Sequence, residues 1–299
     1  MQDLTVTSVT DAALAQMAGT PDPRLREVMA SLVRHLHDFA RDVNLTPDEW
    51  IKAITFLTRV GQACTPARQE FILLSDVLGL SALVNLMHDK MATEIGTESS
   101  LLGPFYQQNA PSYQLGDSIA VEAKGPEIQL YGRVTDMAGR PVPDALIQVW
   151  QTDSEGIYDL QRHHGAQHET RGNFRTDPDG RFWFRTITPL GYEIPMDGPV
   201  GELIRAQRRH GCRPAHIHFL IGAPGHRELV TALYLGHDQY IDSDTVFGVS
   251  RSLVVTPEPD EHAPIPGIPA IHYDFRLGVE ESGGSNRVGA DPSQILAAE

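Results

Sequence analysis

Cysteine is nearly absent: the 299 residues hold two, Cys64 and Cys212, far apart and without the close pairing of a thiolate metal site. That excludes a disulfide framework and a cysteine-ligated zinc, and it fits a reducing cytoplasm. Positive charge is scarce as well, with 24 Lys plus Arg against 39 Asp plus Glu and a formal net charge of -15. Such a surface repels phosphate backbones and anionic lipid headgroups, so neither a nucleic acid nor a membrane is an expected partner. No run approaches the roughly 20 apolar residues that span a bilayer, and the first residues lack the basic start and apolar stretch of a secretion signal. A soluble, cytoplasmic protein is the expectation. Its length is enough for one large or two modest domains with a real hydrophobic core.

Between Arg24 and Ala40, apolar side chains at Leu25, Val28, Met29, Leu32, Val33, Leu36 and Phe39 recur every three or four residues, the stripe of an amphipathic helix. Thr46-Pro47-Asp48-Glu49 then combines an N-cap, a first-turn proline and a capping-box glutamate, and Trp50, Ile51, Ile54, Leu57 and Val60 continue the pattern. Thr65-Pro66 repeats the start signal, and the apolar run from Phe71 to Leu78 stops at Gly79, where a left-handed C-cap costs little. Leu80 to Met87 reads as a further helix. Beyond about Pro104, Gly, Pro, Asn and Asp punctuate short runs such as Ile128 to Val134, Ala145 to Trp150 and Arg181 to Arg185, the texture of a sandwich or barrel. Thr176-Asp177-Pro178-Asp179-Gly180, between Phe174 and Phe182, predicts a hairpin turn. The tail from Glu280 to Glu299 has little to bury and reads as mobile, with Ile295 and Leu296 able to dock locally.

The sharpest local feature is Arg213-Pro214-Ala215-His216-Ile217-His218-Phe219. On a strand, His216 and His218 point to one face and Ile217 and Phe219 to the other, so two imidazoles stand side by side. That presents two nitrogens to a metal, or simply a hydrogen-bonded pair near a sheet edge. A carboxylate from Asp153, Asp159 or Glu193 would complete a facial triad suited to ferrous iron or zinc. Tyr158 and Tyr192, each closely preceded by a glycine, offer phenolates instead, hard oxygens that favour ferric iron, or are ordinary packed tyrosines. Spacing alone does not choose. Arg213 reads either as a surface cation or as a partner of the histidines, and Asp76 either as a solvated residue near a helix end or as a pocket carboxyl. Asp242-x-Asp244 has the alternation of a calcium loop without its later positions and reads as a solvated turn.

Four separated stretches decide the resemblance: Leu101-Leu102-Gly103-Pro104-Phe105-Tyr106; Gln148-Val149-Trp150-Gln151 leading to Gly156-Ile157-Tyr158-Asp159; Phe174 to Gly180; and Arg213 to His218. In this order they resemble the intradiol catechol dioxygenases, over almost the whole chain from Arg24 to about Gly278. The resemblance implies an α+β protein with a helical dimerisation region over residues 1–103, a mainly antiparallel β-sandwich catalytic domain over 104–279 and a flexible tail over 280–299. It also implies a non-haem Fe(3+) held by Tyr158, Tyr192, His216 and His218. Arg68 to Gly79, Pro195 to Gly201 and Tyr240 to Val249 are similar to the hydroxyquinol-cleaving subgroup, and catechol-type members usually differ there.

By that similarity Leu73, Asp76, Gly103, Pro104, Phe105, Ile194 and Pro195 line the substrate pocket. Arg213 touches the ring and stabilises charge developing on it, and Tyr192 is the phenolate that leaves as the diol binds and takes up a proton. The implied partners are a small aromatic diol, dioxygen and a second copy of the chain, with a lipid at the helical interface as an option. Hydroxyquinol would give maleylacetate; the alternatives are a catechol or substituted-catechol 1,2-dioxygenase giving a cis,cis-muconate, and, from another class, a non-enzymatic β-sandwich binding module. One position departs from the pattern: Ala232 stands where a polar residue is expected, which puts hydrogen bonding around the metal ligands in question.

Overall fold

Helices precede strands along the chain, as the texture of the sequence predicts. The computed structural model describes residues 3–65, 68–91, 96–162 and 168–280; Pro66 and nearly all of the tail, including Ile295 and Leu296, lie outside the described residues. Helices α1 (Ser8–Met17), α2 (Pro23–Asp42), α3 (Pro47–Ala63), α4 (Glu70–Val77) and α5 (Leu80–Met91) come first. Asp22 caps α2 by accepting from the Arg24 and Leu25 amides, with Pro23 in the first turn. The expected capping box opens α3: the Glu49 carboxylate accepts from the Thr46 amide at 2.9 Å and the Glu49 amide donates to Thr46 Oγ1 at 3.3 Å. The third start signal is placed differently, because the Thr65 and Arg68 backbones pair with each other and turn the chain before α4 can begin at Glu70. Gly79 does end α4, with φ +75°. Helix α1 has no capping side chain and only a weak apolar stripe, which is why no pattern announces it.

Two compact units result, residues 1–59 and 60–299, so α4 and α5 belong with the strands. Among the described residues no single helix is long and apolar enough to cross a membrane. In the second unit the strands are β1 (Glu127–Asp136), β2 (Leu146–Gln151), β3 (Arg171–Arg175), β4 (Arg181–Ile187), β5 (Tyr192–Glu193), β6 (Cys212–Arg213), β7 (His216–Gly222), β8 (Leu229–Leu235), β9 (Val254–Val255), β10 (Ala270–His272) and β11 (Phe275–Leu277), with α6 (Pro199–Ala206) between β5 and β6. One sheet centres on β1, paired antiparallel with β4 and parallel with the short β10 and β11. The other runs β3-β2-β7-β8-β9, antiparallel apart from its last pair. Leu130, Val134, Phe182 and Phe184 from the first sheet and Ile147, Val149, Ile217, Phe219 and Leu233 from the second form one buried cluster, the core of a sandwich.

The turn at 176–180 forms as expected, with Asp177 and Gly180 bonded across it and Gly180 at φ +72°. The hairpin does not: β3 pairs with β2 and β4 with β1, so the turn carries the chain from one sheet to the other. From their two layers Phe174 and Phe184 both enter the core, where their rings stack at 4.9 Å.

Candidate active site

Strand β7 carries both histidines, and the alternation read from the sequence holds. Ile217, Phe219 and Ile221 enter the core while His216 and His218 face away from it, both buried beneath other segments. Register fixes their neighbours: across β8, His216 lies opposite Tyr234 and His218 opposite Ala232, and across β2, His218 lies opposite Trp150, whose ring stacks on it at 4.9 Å. The unexpected alanine therefore stands beside a candidate ligand, as the departure from the family pattern implied.

The tyrosines arrive on two loops pressed together. Gly156 has φ +77°, and a Cβ on it would come 2.7 Å from the Gly191 carbonyl; a Cβ on Gly191 would come 2.6 Å from that of Arg213. These glycines let the two loops and β6 touch. Tyr192 pairs with Arg213 in the β5–β6 ladder, and Tyr158 is anchored by its amide, which donates to Gln161 Oε1 at 2.8 Å. Asp153 holds the first loop by accepting from the Glu155 and Ile157 amides, at 2.9 and 3.1 Å, and from Arg162.

The result is one buried cluster of four candidate donors. His216 Nε2 lies 3.0 Å from His218 Nε2 and 3.4 Å from Tyr158 Oη, and the Tyr158 and Tyr192 rings meet edge-on at 5.4 Å. His216 Nδ1 is 2.6 Å from the Pro214 carbonyl, which can only accept, so the proton sits on Nδ1 and the Nε2 lone pair faces the cluster. Burial, reinforced by Arg213, holds the His216 imidazole down at about 3; burial, reinforced by the Arg213 and Arg171 charges, pushes His218 the same way. Burial raises both phenols above their ordinary value, Tyr158 the more strongly, while Arg213 opposes the rise. Neutral imidazoles and phenols that ionise only beside a strong positive charge are the donor set for a hard, highly charged metal ion.

A carboxylate triad is not assembled. Asp153 is engaged by its own loop, Asp159 is buried against Arg171, and Glu193 is exposed. Among the described residues no group of three or more His, Cys, Asp or Glu side chains gathers around one point.

Arg213 is no surface cation. It is buried, its Nε and Nη2 donate to Asp244 at 3.1 and 3.3 Å, Nη2 also reaches Tyr234 Oη at 3.2 Å, and Nη1 lies 3.3 Å from His216 Nε2. Asp244 corrects the reading of 242–244 as a solvated turn: it is buried and also accepts from the Val246 and Gly248 amides. Burial alone would raise its carboxyl, yet the Arg213 charge and hydrogen bonds bring it below the usual range. Tyr234 and Asp244 were the residues sequence reasoning missed; β8 reads as plain core strand, and only the register opposite His216 reveals Tyr234.

The expected pocket residues divide into those with contacts to the cluster and those placed by the chain. Phe105 stacks on Tyr158 at 4.1 Å and meets Tyr192 edge-on at 6.0 Å, and a Cβ on Gly103 would sit 3.5 Å from the His218 ring. Asp76 is buried, and burial raises its carboxyl above the usual range against the opposing Ser81 hydrogen bond and Arg213 charge, so it lies within electrostatic reach of Arg213. Leu73 is one turn before Asp76 on α4, and Ile194 and Pro195 follow Tyr192 directly, with Leu73 and Ile194 buried. Pro104 lies between Gly103 and Phe105. A separate cavity of about 800 Å³, lined by Arg208, Arg209, Asp244, Thr245 and Phe247 among others, contains none of the four donors.

This arrangement has known counterparts. Residues 101–279 match the family model described as "Dioxygenase", and residues 22–96 match "Catechol dioxygenase N terminus". The chain belongs to the intradiol ring-cleavage dioxygenases. It is 50% identical over 254 residues to 6-chlorohydroxyquinol 1,2-dioxygenase of Cupriavidus pinatubonensis, covering 85% of this chain and 92% of that one. With hydroxyquinol 1,2-dioxygenase of a Rhizobium species it shares 46% identity over 82% of this chain and 83% of the other. The crystal structure of hydroxyquinol 1,2-dioxygenase from Pseudomonas putida superimposes with a TM-score of 0.85 at 43% identity, covering 92% and 99% of the two chains. Wild-type catechol 1,2-dioxygenase from Acinetobacter radioresistens gives 0.79 at 27% identity, over 94% and 96%. This intradiol dioxygenase is therefore an enzyme of a family that works with non-haem ferric iron, and a passive binding module is set aside.

The buried histidines give the dioxygenase a pH signature. Unfolded imidazoles titrate near 6.5, whereas folded His216 does so at about 3. Between those values the unfolded chain binds more protons, so stability is full above pH 6.5 and falls as the pH drops toward 3. Thermal unfolding of chelator-treated protein should show a loss of about 1.4 kcal/mol per pH unit for each such histidine below 6.5. A flat profile from pH 7 to 4.5 would contradict buried, neutral imidazoles.

Proposed function

We propose that this dioxygenase cleaves hydroxyquinol between its two adjacent hydroxyl-bearing carbons to give maleylacetate, at a ferric ion held by Tyr158, Tyr192, His216 and His218. The donor set fits that ion: two phenolate oxygens neutralise much of its charge and two imidazole nitrogens complete the set. Once bound, it supplies a Lewis-acidic, redox-active centre that favours the deprotonated diol and couples the ring to dioxygen. Both oxygen atoms enter the product as the carbon–carbon bond breaks.

The protein's own contributions follow from the geometry. Tyr192 sits beside Arg213, and burial favours its neutral phenol, so its oxygen is suited to take a proton from the incoming diol. Tyr158, stacked under Phe105, and both histidines remain fixed. Arg213, held by Asp244 and Tyr234, is a positive charge of set position that stabilises negative charge building on the ring. Burial of all these groups keeps bulk water away.

The observation that carries the choice of hydroxyquinol is the buried carboxyl of Asp76. A third ring hydroxyl meeting Asp76 gains a hydrogen bond, and catechol leaves that group unpaired. The relatives at 43–50% identity that are named for hydroxyquinol-type substrates support it. Hydroxyquinol should be cleaved with kcat/KM at least about tenfold above catechol, and Asp76→Ala should lower the first while leaving the second nearly unchanged. Preference for catechol in the unmodified enzyme, or an equal effect of the substitution on both diols, would overturn this assignment and leave the general intradiol reading.

Association is also proposed through the helical region. Helix α2 buries no residue, and Leu25, Val28, Leu32, Leu36 and Phe39 stand exposed along it, with Trp50, Ile51, Ile54 and Leu57 on α3. A second copy covering these stripes accounts for them, and a lipid chain can share the same seam. Light scattering at micromolar concentration should give twice the 32.9 kDa chain mass; a species of single mass would contradict it.

A further inference from the structure

Two stretches of the chain, Arg68 to Gly79 and Pro195 to Gly201, touch each other. Glu70, at the start of α4, is fully buried. One of its carboxylate oxygens accepts from Arg68 Nε at 2.8 Å and the other from the Val200 amide at 3.1 Å, in the first turn of α6. Arg68 Nη1 reaches on to both oxygens of Asp197, at 2.9 and 3.0 Å. Gly198 makes the approach possible: a Cβ there would come 2.4 Å from both Arg68 Nη2 and Glu70 Oε1. Its φ of -105° is open to any residue, so space, not backbone conformation, demands glycine.

The two sides of this clasp are the two proposed walls of the substrate pocket. Glu70, Leu73 and Asp76 fall three residues apart on one buried face of α4. On the other side, Ile194 and Pro195 lie between Tyr192 and the turn that Asp197 and Gly198 make into α6. A buried carboxylate bonded to both segments fixes their spacing with directional contacts that apolar packing alone lacks.

We propose that Glu70 is a positioning residue for substrate choice: through Arg68 and the α6 first turn it sets the distance between the Asp76 wall and the Ile194–Pro195 wall. This rests on the substrate reading above. A hydrogen bond from a third ring hydroxyl to Asp76 tolerates only a few tenths of an ångström, and a ring lacking that hydroxyl has no such requirement. Loosening the clasp therefore costs the trihydroxylated ring more than catechol. None of the four metal donors contacts Glu70, so the ferric site stays intact.

The test compares Glu70→Gln with the unmodified, iron-loaded enzyme by steady-state kinetics on both diols and by amide hydrogen exchange of the intact protein. Exchange should quicken together in 70–77 and 193–201 and stay unchanged in β7. The hydroxyquinol-to-catechol ratio of kcat/KM should fall about tenfold, mainly through KM for hydroxyquinol, with the visible band retained. Asp197→Ala, which removes only the exposed arm, should act in the same direction more weakly and serves if Glu70→Gln does not fold. Unchanged exchange in either segment overturns the clasp. Faster exchange with an unchanged ratio overturns its role in specificity. An unmodified enzyme without preference for hydroxyquinol contradicts the substrate reading instead, and the exchange data still decide whether Glu70 joins the two walls.

Discussion

A guanidinium buried beside two imidazoles is costly unless an anion faces it, and Asp244 is that anion. Removing one partner of such a pair costs about 3–5 kcal/mol, because the other charge is left unpaired in a dry interior. Much of the site follows from this contact. With its charge matched by Asp244, Arg213 holds Tyr234 Oη on one side and lies against His216 on the other. Burial is what chiefly keeps the histidines unprotonated; the Arg213 charge adds to that effect and moderates the rise of the phenols, so these four side chains can share one small volume without carrying charge of their own.

Sheet register and close backbone contacts do the remaining placement. Strand β7 sets two histidines on one face and seals the other face into the core, and β8 aligns Tyr234 and Ala232 with them. The tyrosine loops are located by contact between backbones at Gly156, Gly191 and Arg213. A second buried pair, Asp159 with Arg171, stands behind them, and Arg171 Nη1 also donates to the Phe105 carbonyl at 3.0 Å. The ring stacked on Tyr158 and the residue after Tyr158 are thus tied to the same arginine.

What was legible in the sequence was local. Helix stripes, the Thr46 capping box, the Gly79 stop and the alternation at 216–218 are interactions between near neighbours in the chain. The misreadings were long-range. Phe174 and Phe182 looked like two sides of a hairpin because a turn signal carries no information about which sheet receives each strand. Asp244 looked solvated because its partner lies 31 residues away, and Asp159 stayed one of three open carboxylate candidates because Arg171 engages it only in the folded chain. Tyr234 was hidden inside an apolar run. The four clustered side chains were proposed as ligands through motif resemblance, and their chain spacing alone left a carboxylate triad open.

The central claim is that Tyr158, Tyr192, His216 and His218 form one ferric site. Its most direct measurement is the visible absorption and iron content of the purified protein, alongside Tyr158→Phe and His218→Ala. Phenolate-to-ferric charge transfer should give a red to burgundy protein with iron near one per chain, and each substitution should lose iron or shift and weaken the band. A colourless protein that retains full turnover, or both variants keeping unaltered iron and colour, would contradict the account.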